Sequence, residues 1–290
     1  MKLARLLIDG NVVPAAVDAE GRLRDLRAHI TDIGCEQLHD GGIEQLQALE
    51  LAQLPLLPAN SGLLPPWHTC GKFIGIGLNY ADHAAEAGMA VPNEPIVFHK
   101  PVQVRVGPNH DVVLPQGSSK TDWEVELGVV IGQRARYVSE TQALGHVAGY
   151  CVVNDVSERE YQMERGGTWD KGKGCDTFGP VGPWLVTRDE VPDPQNLGMW
   201  LEVNGKRYQN GSTQTMVFGV AALVAYLSRF MTLNPGDLIA TGTPPGVGMG
   251  VKPNPVFLRP GDVMRLGIEG LGDQTQQVHA YNQARIDAPV

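Results

Sequence analysis

The chain has 290 residues, 42% hydrophobic and 19% charged, a balance suited to one large globular domain or one domain with a small appendage. Lys and Arg number 23 against 32 Asp and Glu, and the formal net charge of −9 argues against nucleic acid as a partner. No apolar run approaches membrane-spanning length, and Cys35, Cys70, Cys151 and Cys175 form no C-x-x-C pair, so a cytoplasmic protein with reduced thiols and no membrane partner is expected.

Residues 1–30 read as two or three short strands, with turn signals at Asp9-Gly10-Asn11 and Glu20-Gly21. Residues 41–53 align Ile43, Leu46, Leu49 and Leu51 on an apolar helical face. The Pro- and Leu-rich stretch 54–67 reads as a linker. This divides the chain into a small N-terminal β-rich domain, 1–69, and a main domain, 70–290. Phe73-Ile74-Gly75-Ile76-Gly77 is a short buried strand running into a helix or helical loop over 79–88. Short apolar strands then recur at 96–98, 111–114, 125–131, 150–153, 183–187, 200–203 and 263–268. Only 217–231 is clearly helical, with Val220, Leu223, Val224 and Leu227 at helical spacing. The 35 Gly and 21 Pro favour turns over helices. The expected fold is mainly β (α+β), with a curled sheet gathering distant strands at one site.

The most informative segment is Asp122-Trp123-Glu124-Val125-Glu126-Leu127-Gly128-Val129-Val130-Ile131. Alternation puts Val125, Leu127, Val129 and Ile131 on one strand face and Glu124 and Glu126 on the other. Two such carboxylates repel unless a positive group sits between them, and a hard divalent cation suits their oxygens. The alternative is an edge strand with a solvated acidic face, the commoner setting for charged residues. Asp155, closing the apolar run 150–156, is a third candidate ligand; an aspartate there can equally cap a helix N-terminus.

Other segments carry polar residues in tight contexts. His83 and Glu86, three apart, share a helical face, where the carboxylate can fix the imidazole tautomer and make His83 a general base; a surface pair is the plain alternative. Arg159 can fork onto a substrate carboxylate with Gln162 beside it, or belong to an exposed turn with internal ion pairs. Glycines flank Lys173 and let it approach a ligand, while Lys171 reads as a solvated competitor. Thr243 lies in the rigid loop 241–248, whose hydroxyls and N–H groups can hold carboxylate oxygens, although such a loop is more often a plain turn. Lys100 can add positive charge nearby, whereas His99 reads as a packed or surface histidine. Small polar residues surround these motifs and no aromatic platform is evident, so a short hydroxylated acid is expected to fit better than an aromatic one.

Together GLNYADHAAE, DWEVELGVVIG, YCVVNDVSEREYQ, KGKGCDTFGPVGPW and ATGTPPGVG, in this order across roughly 70–281, resemble the fumarylacetoacetate hydrolase family. The resemblance implies a mixed β-sandwich roll, a small N-terminal β-rich extension, a Mg²⁺ or Mn²⁺ site and a homodimer. It implies that Glu124, Glu126 and Asp155 are metal ligands and that His83 with Glu86 activates water from a lid. It places Arg159, Gln162, Lys173 and Thr243 against a 2-oxo acid, with Lys173 also catalytic. The extra aspartate ligand of the larger eukaryotic members has no counterpart here, which leaves that position to water. Within the family, DWEVELGVVIG and NDVSEREYQMERGGTWDKGKGCDTFGP are most similar to bacterial sugar-acid enzymes. That implies C–C hydrolysis of a 2,4-dioxo acid such as 2,4-diketo-3-deoxy-L-fuconate to pyruvate and a hydroxy acid. The alternatives are ureidoglycolate lyase and a 2-oxo acid decarboxylase or isomerase.

Overall fold

The computed structural model describes residues 1–59, 61–88 and 90–286. Its main feature is a long mixed sheet with the path Leu23–Asp25, Asn11–Val17, Lys2–Ile8, Gly179–Thr187, Val147–Asn154, Val125–Ile131, Leu238–Ala240, Phe73–Gly77 and Ile96–Lys100. A second sheet orders Lys206–Ser212, Gly198–Val203, Val263–Ile268, Gly272–His279 and Val112–Val113. A short ladder pairs Ser157–Glu158 with Thr121–Asp122. The expected strand-rich α+β fold is observed.

The acidic strand is not at an edge. Val125–Ile131 pairs with Val147–Asn154 on one side and Leu238–Ala240 on the other. Both faces are covered. Val125, Leu127, Val129 and Ile131 pack with Met199, Leu201, Met264 and Leu266 of the second sheet. Val130 packs with Trp67, Ile33, Leu38 and Leu46 from the N-terminal third. The solvated-edge alternative is thereby excluded, and Glu126 is only 2% exposed.

The N-terminal third is joined closely to the rest. Lys2 and Leu3 pair with Val186 and Leu185, so strands from before and after residue 69 belong to one sheet. The stretch read as a linker contains the strand Gly62–Leu64, paired with Lys2–Ile8, and Trp67, whose Nε1 donates to Gly236 O at 2.9 Å. The helix expected over 41–53 is shorter, Asp40–Gln47, followed by a single 3₁₀ turn at Leu51–Gln53. The helix Val220–Leu227 falls inside its expected range.

Two strands, Lys206–Ser212 and Gly272–His279, were not legible as strands. Their sequences, KRYQNGS and GDQTQQVH, bury glutamines where a strand core normally buries aliphatics. Gln274 explains why. The ladder between Val147–Asn154 and Gly179–Thr187 shifts register between Tyr150 and Val152, and such bulges strand backbone carbonyls. Gln274 Nε2 donates to Val152 O at 2.8 Å and to Gly182 O at 2.9 Å. Replacing Gln274→Leu keeps the bulk and removes both donors. Unfolding in urea is expected to show a loss of about 2–4 kcal/mol, the cost of two buried carbonyls left unpaired; a loss below about 0.5 kcal/mol would refute this role.

Candidate active site

Pairing register brings the candidate ligands together. Val125 lies opposite Asn154, so Glu124 and Asp155, each one residue beyond the pair, become neighbours. Asp155 N donates to Glu124 O at 2.9 Å, and Asn154 Oδ1 accepts from Glu124 N at 3.3 Å. One carboxylate oxygen from each of Glu124, Glu126 and Asp155 lies within 4.8 Å of the others. Asp155 caps no helix; its carboxylate points into this cluster, and the helix Arg159–Met163 is capped by Glu158.

Three buried cations meet these carboxylates. Lys173 Nζ donates to Glu124 Oε2 and Asp155 Oδ2, both at 2.6 Å. Lys100 Nζ donates to Asp155 Oδ1 at 2.6 Å and Val156 O at 3.2 Å. Arg159 donates from NH2 to Glu124 Oε1 at 2.7 Å, from Nε to Asp122 Oδ2 at 2.9 Å and from NH1 to Gln162 Oε1 at 3.0 Å. Lys171 is exposed and donates to Arg165 O, and His99 is exposed on its strand.

The electrostatics separate the two glutamates. Burial works against ionised Glu124, but Arg159 and Lys173 outweigh it and hold the carboxyl well below its usual range. Glu126 is pushed well above its usual range by burial and then by repulsion from Asp155 and Glu124, with Lys173 and the Gly242 N–H, 2.8 Å away, as partial relief. Burial lowers Lys100, only partly offset by Asp155. For Lys173 burial also opposes the charge, but Asp155 and Glu124 win and raise it. The residues fit a divalent cation: three oxygen donors of a hard-ion set converge, and the mutual repulsion that adds to burial in raising Glu126 is what a 2+ charge relieves.

Across the same cavity, of about 250 Å³, stand His83 and Glu86 on the helix Ala81–Ala87. His83 Nδ1 is 3.2 Å from Glu86 Oε2, and both groups are mostly buried rather than on the surface. Glu86 also accepts from Gly246 N, 3.1 Å from either oxygen. Burial raises its carboxyl, but His83 and this N–H lower it further, so the net direction is down. Glu86 therefore takes the Nδ1 proton as acceptor and leaves Nε2 as the basic nitrogen.

The loop at 241–248 behaves otherwise than expected. Its N–H groups hold the chain's own carboxylates: Gly242 N binds Glu126, Gly246 N binds Glu86 and Gly248 N binds Asp122. Thr243 lines the cavity, but its Oγ1 donates to Val125 O at 2.9 Å and accepts from Gln209 Nε2 at 2.8 Å. Gln209 Oε1 also accepts from Val125 N, so a residue of an unforeseen strand braces both the acidic strand and the loop.

The expectation of a pocket without aromatics is wrong. Phe98 and Trp169 form a wall with ring centroids 5.4 Å apart, and Ile76, Met163, Val247 and Met249 extend it. Lys173 Nζ lies 4.9 Å from the Phe98 centroid. Glycines seat the rings: a Cβ at Gly75 would lie 2.1 Å from Phe98, and one at Gly77 would lie 2.3 Å from Trp169. Phe98 and Trp169 come from segments 71 residues apart, so only the G-x-G of Phe73–Gly77 hinted at close approach.

A strand-rich fold whose buried oxygen-donor cage and His–Glu pair meet at one cavity is that of an enzyme with the donors to hold a divalent cation. Residues 72–279 match the fumarylacetoacetate (FAA) hydrolase C-terminal family, and the chain belongs to it. A Burkholderia cenocepacia protein whose name contains the word hydrolase is 64% identical over 277 residues, 96% of this chain and 98% of that one. The fumarylacetoacetate hydrolase of Exiguobacterium antarcticum is similar in structure, with a TM-score of 0.85 at 35% identity, covering 97% of this chain and 100% of that chain. Maleylpyruvate hydrolase from Sphingobium sp. SYK-6, in complex with manganese(II) and pyruvate, has a TM-score of 0.80 at 31% identity, with 97% and 100% covered.

The raised Glu126 carboxyl gives a prediction for cation binding. A carboxyl raised in this way gives up its proton less readily, and a cation competes with that proton, so Mn²⁺ affinity should rise with pH. Calorimetry in buffers of different ionisation enthalpy should show proton release, and Glu126→Gln should abolish it and weaken Mn²⁺ binding about tenfold or more. Unchanged affinity in Glu126→Gln would remove Glu126 from the cage.

Proposed function

We propose that the chain is a divalent-metal-dependent hydrolase that cleaves the C–C bond of an acylpyruvate-type 2,4-dioxo acid, with Mg²⁺ or Mn²⁺ held by Glu124, Glu126 and Asp155. The observation that supports this most is that Glu124 and Glu126 of the cage line one cavity with the His83–Glu86 pair. A bound divalent cation would supply Lewis acidity toward the oxygens of a 2-oxo carboxylate.

The chain's own residues divide the remaining work. Lys173, Arg159 and Gln162 line the cavity beside the cage and orient the carboxylate end of the substrate. Nε2 of His83 takes a proton from water while Glu86 steadies the imidazolium through Nδ1. The water oxygen adds to the 4-carbonyl carbon. The bond between carbons 3 and 4 then breaks, its electron pair leaving with carbon 3 as the enolate of pyruvate, whose charge Lys173 offsets. Protonation of carbon 3 gives pyruvate, and the acyl group leaves as a carboxylic acid. On this reading His83→Ala lowers kcat about a hundredfold or more while Mn²⁺ affinity persists. Normal turnover, or loss of Mn²⁺ binding, would refute the assignment.

Phe98, Trp169, Met163 and Met249 also line the cavity, and we place the acyl group against them. A hydroxylated chain, as in 2,4-diketo-3-deoxy-L-fuconate, would lose water against that wall, whereas an alkyl or unsaturated acyl group gains from it. The sequence likeness favoured the sugar acid; the wall favours an apolar acylpyruvate. We therefore expect kcat/KM for an alkyl 2,4-dioxo acid such as 2,4-dioxoheptanoate to exceed that for 2,4-diketo-3-deoxy-L-fuconate by about tenfold or more, with ureidoglycolate turned over poorly. Steady-state comparison of the three decides this: preference for the fuconate derivative restores the sugar-acid reading, and preference for ureidoglycolate favours a lyase.

A further inference from the structure

We propose that Asp122 is a positioning residue that couples Arg159, beside the carboxylate cage, to the His83–Glu86 pair across the cavity. The inference rests on the proposed role of His83 as base. Asp122 is fully buried in the short strand Thr121–Asp122, and its pairing with Ser157 brings Arg159 within reach. Asp122 Oδ1 accepts from Gly248 N at 2.6 Å and Trp123 N at 2.8 Å. Asp122 Oδ2 accepts from Arg159 Nε at 2.9 Å and Met249 N at 3.0 Å. One carboxylate thus holds both the guanidinium and the backbone of one loop.

That loop also sets Glu86. Two residues before Gly248, Gly246 N donates to both Glu86 oxygens. Two residues after it, the loop passes so close that a Cβ on Gly250 would lie 2.9–3.3 Å from the Glu86 carboxyl group. Glu86 in turn orients His83 through Nδ1. At Gly248 itself a Cβ would lie 2.0 Å from Val256 O and 2.7 Å from Asp122 Oδ1, so the loop is seated directly against Asp122. Hydrogen bonds joining Arg159 and Gly248 N to Asp122, the covalent loop segment 246–248, and hydrogen bonds joining Gly246 N to Glu86 and Glu86 to the imidazole therefore form one continuous path. An amide at position 122 would turn an N–H toward Arg159 or Met249 N, both donors, and the loop would move off its seat. A displacement of about 1 Å at the base is enough to cost up to about a hundredfold in rate.

The test is a double-mutant cycle on the full-length, Mn²⁺-replete protein with 2,4-dioxoheptanoate as substrate. Asp122→Asn should lower kcat about tenfold or more while KM and Mn²⁺ affinity stay within about threefold. Combined with His83→Ala it should cost nothing further, the double variant matching His83→Ala within about twofold, because the aspartate acts through the imidazole. If Asp122→Asn melts before assay, Gly248→Ala carries the test, since its methyl group would lie 2.7 Å from Asp122 Oδ1 and push the loop off that carboxylate. Additive losses, a KM or Mn²⁺ change as large as the kcat change, or full activity of the variant tested overturn the coupling. Normal turnover by His83→Ala overturns the base assignment itself, and the coupling with it.

Discussion

Glu126 places a carboxylate in the centre of a sheet, 2% exposed, with a backbone N–H as its hydrogen-bond donor. Its neighbours Glu124 and Asp155 are equally enclosed, and the three lysine and arginine side chains in reach are divided between those two and Asp122. Charges buried this way cost several kcal/mol each unless paired, so the cluster is a standing load on the fold. The surrounding structure carries it by over-determining the backbone. Asn154 and Gln209 bind the acidic strand, Gln274 satisfies the bulge behind Asp155, and Gln276 accepts from Asn154 Nδ2 at 3.1 Å. The buried amides of the second sheet are thus explained by the acids of the first.

The acidic strand was the most readable part of the chain because its chemistry is local. Alternation alone puts Glu124 and Glu126 on one face, and the apolar run before Asn154 marks a buried strand end. His83 and Glu86 were readable for the same reason, through helical spacing. What escaped depended on partners far along the chain. Lys206–Ser212 and Gly272–His279 show little apolar alternation, since all but Val278 of the residues they bury are glutamines, and Gln209 and Gln274 answer carbonyls elsewhere in the chain. Asp122 stood in full view beside Glu124, yet its meaning lies in Gly248 and Met249, more than a hundred residues on. The loop around Thr243 has the donors that were read from it, but they face inward to Glu126, Glu86 and Asp122.

The cavity joins two unlike surfaces. Its lining includes Glu124, Glu126, Arg159 and Lys173 as well as Phe98, Trp169 and the methionines. Lys173 belongs to both, ion-paired with the cage and set over the Phe98 ring. Ground-state affinity can come from the apolar residues while discrimination between charge states comes from the ionic ones. This division suits an enzyme whose relatives share one reacting core and differ in what is attached to it. It also accounts for two seating glycines in one short strand, since the rings reach the cavity only where Gly75 and Gly77 let them lie on the backbone.

The spacing of these contacts along the chain bears on synthesis. Glu126 finds its N–H donor 116 residues downstream, and Asn154 finds Gln276 122 residues downstream. While the ribosome is still adding the final third, the acidic strand has its neighbour Val147–Asn154 but lacks Leu238–Ala240, the loop after it and the glutamine strand. The nascent polypeptide therefore holds its acids in water, with the cage unbuilt, until nearly the last strand has emerged. A truncated product lacking Gly272–His279 is therefore a chain with an unsupported acidic core.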